Sequence, residues 1–223
     1  MSDTDVVESI AQLRILKEEK SLAGRTYRDL MAKGVGLAEA DLDSVTLERV
    51  GWNEGNLEGC RLEHANLRQV VLSNARMSGA LLHRVNVRDS DFTELDLSGA
   101  EIRHCELGPL EASRASFASA KVQDTTFRAA NLRAAIFRNA VVMRSSFADY
   151  ANVNASLTRA NLSESVFIEV DLREVNMYGA DLSRALFIRC DLRGANLVTA
   201  RLVGTRLIDC QMAGADLSET VVT

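Results

Sequence analysis

Residues 180–199 read ADLSR ALFIR CDLRG ANLVT, four blocks of five. The third residue of each block is large and apolar (Leu182, Phe187, Leu192, Leu197). The first is small (Ala180, Ala185, Cys190, Ala195). Outward from this stretch the same rule extends in both directions. Stepping in fives from Leu37 to Val222 visits 38 positions, and 36 of them hold Leu, Ile, Val, Met, Phe or Trp, with only Ala112 and Asn152 departing. Two residues before each lies a second column, small or β-branched at 35 of 38 positions, the exceptions being Leu95, Leu110 and Tyr150. Neither a 3.6-residue helix nor a two-residue strand alternation stays in phase over such a length. A rule that returns every fifth residue requires the backbone to make the same turn every five residues, one large and one small side chain pointing inward each time.

Segments such as Ala130-Asn131-Leu132, Ala160-Asn161-Leu162, Ala195-Asn196-Leu197 and Ala215-Asp216-Leu217 spell out A-(D/N)-L-X-X. This resembles the pentapeptide repeat family over roughly residues 35–223. The resemblance implies an all-β fold, a right-handed quadrilateral β-helix in which four pentapeptides close one coil of about twenty residues. With about 4.8 Å per coil, nine to ten coils predict a rod of roughly 45 Å. Each coil of such a solenoid buries its apolar side only against its neighbours, so stability lies in the stack.

The opening residues follow another pattern. Ser2-Asp3-Thr4-Asp5 has the form of a capping box. Val6, Ile10, Leu13 and Leu16 then give a helical stripe, and Lys17 and Lys20 suit a helix C-terminus. A helix over about 3–20 is predicted, covering the open end of the first coil. The domains predicted are thus a capping helix at 1–21 and a repeat domain at 22–223, with a degenerate first coil beginning near Leu22, since Tyr27 falls in phase. At the other end Asp216 to Val222 is still in phase. An uncovered coil there presents unpaired backbone, and a second copy is the expected cover.

Two blocks invert the size rule: Leu110 with Ala112, and Tyr150 with Asn152. With twenty residues per coil they fall on one face, two coils apart. They read either as packing adjustments, aided by Pro109, or as a recognition feature like the loops of some gyrase-binding relatives. No insertion breaks the five-residue phase, which favours packing.

Folding the sequence onto twenty-residue coils puts Val166, Ile168, Leu186, Ile188 and Ile208 outward on one face of the last coils. Contiguous exposed apolar patches mark interfaces. With Val222 at the open end, these residues form a predicted homodimer interface, in keeping with relatives that dimerise through their C-terminal coils. Charge is segregated: Glu39 to Glu111 holds 14 acidic and 7 basic residues, and Ala112 to Thr223 holds 11 acidic and 13 basic. Asp89, Asp91, Glu94, Asp96, Glu101, Glu106 and Glu111 are the predicted partner-facing acidic surface. Arg128, Arg133 and Arg138 make a partial basic belt on three successive faces.

Cys60, Cys105, Cys190 and Cys210 all fall in the inward small column, where cysteine acts as a small apolar residue. No CxxC or Cys/His zinc spacing occurs. His64, His83 and His104 share one face of three successive coils, but Arg61, Arg84 and Arg103 beside them would repel a cation. They are read as a solvated surface, with no metal and no cofactor expected. No nucleophile elbow, phosphate loop or HExxH motif is found, so no catalysis is expected. The net charge of -5 disfavours direct nucleic-acid binding. The absence of a membrane-length apolar run and of a secretory n-region points to a cytoplasmic protein. The family resemblance implies a protein-binding rod, one form of which mimics DNA, binds bacterial DNA gyrase or topoisomerase IV and protects it from quinolones. The alternative is a general interaction scaffold or adaptor with a non-topoisomerase partner.

Overall fold

The computed structural model describes residues 6–18, 22–147 and 156–222. From Leu22 onward each pentapeptide makes one side of a square coil, and about ten coils stack in parallel register. The first face carries the strands Val6–Val7, Thr26–Arg28, Thr46–Glu48, Asn66–Arg68, Asn86–Arg88 and Glu106–Leu107. Another carries eight strands, from Arg61–Glu63 through Leu81–His83, Glu101–Arg103, Lys121–Gln123, Val141–Met143, Val166–Ile168 and Leu186–Ile188 to Arg206–Ile208. The remaining two faces are held chiefly by single parallel bridges, such as Gly51↔Val71 and Asn56↔Arg76.

The five-residue rule has a direct backbone cause. Among the described residues the position two after the large one sits in the left-handed region, with φ near +55° at Glu94, Arg114, Ala134 and Arg184 among many others, except after Leu107, where Pro109 follows a positive-φ Gly108. Left-handed backbone at every fifth residue turns the corner, and its amide donates to a carbonyl of the next coil, as from Glu94 to Ser113 at 3.0 Å. Backbone polar groups are thus consumed between coils, as burial requires.

Inside, among the described residues, the two columns are buried from Leu42 to Ala200. In the middle the centre is aromatic. Phe117 stacks on Phe137 and Phe127 on Phe147, each pair 4.6 Å apart and nearly parallel, while Phe117 meets Phe127 edge-on at 5.9 Å. The hydroxyls in the small column are satisfied. Thr125 Oγ1 donates to the Gln123 carbonyl and accepts from the Cys105 amide, and Ser145 repeats this one coil on. Leu110 and Ala112 are both buried, Leu110 lying in register between Ser90 and Ala130. The large side chain has moved one column over between two small neighbours, so the layer keeps its volume. Tyr150 and Asn152 lie outside the described residues.

Two expectations need correction. The helix spans Ile10–Glu18, not 3–20, because Val6–Val7 is a strand pairing with Thr26–Tyr27. Its cap is Ser9 with Gln12: the Ser9 hydroxyl accepts from the Gln12 amide, and the Gln12 side chain accepts from the Ser9 amide. The box at Ser2 to Asp5 lies outside the described residues. Leu13 is buried and Leu16 partly so, but Ile10 is exposed.

The coil length also changes once. Up to Thr126↔Ser146 the partner of residue i is i+20; from Asn131↔Ser156 to Ser146↔Asp171 it is i+25. One extra pentapeptide therefore falls between 147 and 156. An insertion of five residues is invisible to a period of five, yet it rotates every later block by one face. Val222, expected at the end of the rod beside the column of Val166 to Ile208, is an inward-column residue, 61% exposed, and its neighbour Val221 pairs with Arg201.

Candidate functional site

On the eight-stranded face, each strand's first and third residues point outward. Across the rod these two columns change character. One runs Asp41, Arg61, Leu81, Glu101, Lys121, Val141, Val166, Leu186, Arg206; the other runs Asp43, Glu63, His83, Arg103, Gln123, Met143, Ile168, Ile188, Ile208. The structure brings Val166, Ile168, Leu186, Ile188 and Ile208 into direct register, as the sequence predicts. It adds Val141 and Met143, paired with Val166 and Ile168. The sequence reading missed both because the extra pentapeptide displaces them by one face when twenty-residue coils are assumed. Beside this strip Leu207 and Leu217 are exposed and Leu202, Cys210 and Met212 are partly buried.

The acidic residues are dispersed. Asp91 and Glu111 are in register on one face, whereas Asp96, Glu101 and Glu106 each belong to a different one of the other three. Several are engaged. Glu94 pairs with Arg114 at 2.6 Å, Glu101 with Arg103 at 3.0 Å and Lys121 at 3.3 Å, and Glu106 with Arg88 at 3.8 Å. Glu111 accepts the Asn131 side-chain amide, and Asp91 and Asp96 accept backbone amides two residues on. Arg128, Arg133 and Arg138 are exposed on three successive faces, and Arg138 lies 3.7 Å from Glu164.

A pattern the sequence reading did not use runs along the left-handed corner column. There an acid in one coil meets an arginine twenty residues later: Asp29 with Arg49, Glu94 with Arg114, Asp124 with Arg144, Glu169 with Arg189. Arg144 holds the Asp124 carboxyl down to about 2, with help from Gln123.

The histidines form a ladder, with ring centroids 6.0 Å apart from His64 to His83 and 5.5 Å from His83 to His104. Each faces an acid: His64 Nδ1 lies 3.3 Å from Asp43, His83 Nδ1 4.0 Å from Glu63 and His104 Nδ1 3.9 Å from Asp124. Partial burial and the nearby Arg84 keep His83 below the ordinary imidazole range. All four cysteines are free. Burial pushes the thiol of Cys60 up to about 12 and those of Cys105 and Cys190 to about 11. Among the described residues no helix is long and apolar enough to cross a membrane.

Among solved structures, the chain is similar to HetL, a pentapeptide repeat protein involved in heterocyst differentiation regulation from the cyanobacterium Nostoc sp. strain PCC 7120. That match has a TM-score of 0.58 and 20% identity, and covers 96% of this chain and 94% of HetL. Full-length QnrB1, a plasmid-mediated fluoroquinolone resistance protein, matches with a TM-score of 0.41 and 18% identity, over 89% of this chain and 93% of its own. No curated protein sequence matches the chain. The profile of the pentapeptide repeats matches residues 54–89, 72–108, 113–147, 153–187 and 185–223, in eight copies. With square coils, an inward large–small pair in every block and this match over most of its length, the chain belongs to the pentapeptide repeat family.

Proposed function

We propose that the chain is a non-catalytic protein-binding rod of the cytoplasm that self-associates through its C-terminal coils and presents its remaining faces to a protein partner. The observation that carries this reading is the apolar strip of Val141, Met143, Val166, Ile168, Leu186, Ile188 and Ile208 on a flat parallel face. Pentapeptide coils fix only the inward residues, so the outward ones are free to be polar. Seven apolar side chains in register are the kind of contiguous patch that marks an interface. A second copy matches it because a two-fold contact needs only one self-complementary patch. Val222, 61% exposed, belongs to the same end, and the helix Ile10–Glu18 lies at the other. The test is solution mass: light scattering should give a dimer for the wild type and a monomer for Leu186→Asp with Ile188→Asp. An unchanged mass would remove the interface.

A finer reading is supported by the acid excess between Glu39 and Glu111. In it Asp89, Asp91, Glu94, Asp96, Glu101, Glu106 and Glu111, distributed around the rod, form an acidic belt that the basic DNA-binding saddle of a bacterial type II topoisomerase, DNA gyrase or topoisomerase IV, would partly enclose. The rod then acts as a DNA mimic, protecting the enzyme from poisons and so contributing to antibiotic resistance. Complementary charge would speed and orient such docking. A gyrase supercoiling assay with and without a fluoroquinolone decides it: inhibition or rescue at micromolar protein supports the topoisomerase partner. Neither effect leaves the rod as a scaffold or adaptor for another protein, which an affinity pulldown lost on deleting residues 1–20 would identify.

A further inference from the structure

The polar end of the eight-stranded face gathers donors that the sequence keeps twenty residues apart. Asp43, Glu63 and His64 each offer one ligand atom, and these atoms all lie within 4.8 Å of one another. They come from two successive coils. His83, from a third, brings Nδ1 to 4.0 Å from Glu63. Two carboxylates and one imidazole are a nitrogen and oxygen set suited to zinc and its neighbours. Bonds of about 2.0–2.2 Å in tetrahedral geometry separate ligand atoms by roughly 3.4 Å. Asp43 and Glu63 are half-buried and His64 is exposed, so small rotations at the ends of these side chains close the set onto an ion.

We propose that Asp43, Glu63 and His64 bind a divalent transition metal of the zinc class, with the fourth position left to solvent, tying two successive coils together. Arg61 and Arg84, which the sequence reading sets against a cation, do stand beside the cluster, and each contacts one of its members. Arg61 holds Oε1 of Glu63 at 3.1 Å, while the approach from His83 is to Oε2. Arg84 lies 3.4 Å from Nε2 of His64, on the side of the ring away from Asp43. When Nδ1 ligates an ion, Nε2 of the neutral ring carries the proton, and the exposed Arg84 side chain must turn to solvent. Arg84 therefore competes with the metal without occupying its site.

This competition gives the test a direction that a generic acidic surface would not show. Full-length protein stripped with chelator is titrated with zinc by calorimetry and with cobalt by visible absorption. One zinc per chain is expected, with cobalt bands of a nitrogen and oxygen site and no thiolate charge transfer. Asp43→Asn and His64→Ala should each weaken binding at least about tenfold. His104→Ala, at the far end of the ladder, should leave it unchanged, and Arg84→Gln should tighten it. The melting temperature of the metal-free variants should match that of the metal-free wild type. No stoichiometric zinc, a thiolate band assigning the ion to cysteine, or equal loss in His104→Ala would each overturn the proposal.

Discussion

At the scale of single residues, the fold is governed by what each position of the pentapeptide tolerates. Ala134 sits at φ +58°, a conformation costing an L-residue roughly 1–2 kcal/mol. A β-branched side chain suffers most there, and Asn least. Ala134→Val should thus lower stability by about 1 kcal/mol in denaturant unfolding while Ala134→Asn stays near neutral; equal effects would mean the corner is not strained. Gly108, at φ +141°, is more restricted still, since a Cβ there would collide with the Arg128 carbonyl oxygen. The Leu110 and Ala112 inversion makes a sharper case. Leu110→Ala alone should cost about 2–5 kcal/mol through the cavity it leaves, and Ala112→Leu alone should overpack the same layer. Together they restore the common arrangement, so the double variant should be more stable than the sum of the singles, a coupling read by a double-mutant cycle. The inward residues were legible in the sequence because the core admits one size at each position. Outward side chains face no such filter, which is why the Asp43, Glu63 and His64 grouping could not be read without coordinates.

At the scale of elements, two things decided how far the sequence could be read. The helix was legible through its apolar stripe, but its start was not. Val6 and Val7 fit a helical spacing and a strand equally, and the strand wins because Thr26–Tyr27 offers an edge to pair with. Once they are taken, Ser9 and Gln12 become the cap. The second element-scale feature is the corner ladder of acid and arginine. Its pairs are exposed and screened by solvent, so each contributes little on its own. Asp124 is the most strongly held, its carboxyl at about 2 with Arg144 the main cause, against about 3.9 in an unfolded chain. The proton therefore binds the unfolded state first as pH falls. The stability this pair contributes is complete above about pH 4 and declines as pH drops toward about 2. In urea unfolding, Arg144→Gln should be less stable than the wild type at neutral pH, with the gap narrowing over that window. A gap independent of pH would assign the Arg144 effect to packing of its stem.

At the scale of the whole molecule, the rod is a one-dimensional stack with an aromatic centre and an uneven surface. The step from twenty to twenty-five residues in one coil shows what a correct period leaves open: the phase of five fixes what points inward, while the count of blocks fixes which face each outward residue joins. That count is also what aligns Val141 and Met143 with the apolar strip. Stability in such a stack passes between neighbours, so damage at one layer should isolate the coils on either side. Phe137 is fully buried, stacked on Phe117 and edge-on to Phe127 and Phe147. Phe137→Ala should therefore remove about 3–5 kcal/mol, and the loss should not spread evenly. Hydrogen exchange is expected to lose protection in the coils around Ala120 to Phe147 first. The coils from Val45 to Leu97 and from Phe167 to Leu197, which keep every contact, should retain theirs and unfold at higher denaturant. If protection instead collapses uniformly along the chain, the coils are coupled more strongly than nearest-neighbour stacking allows.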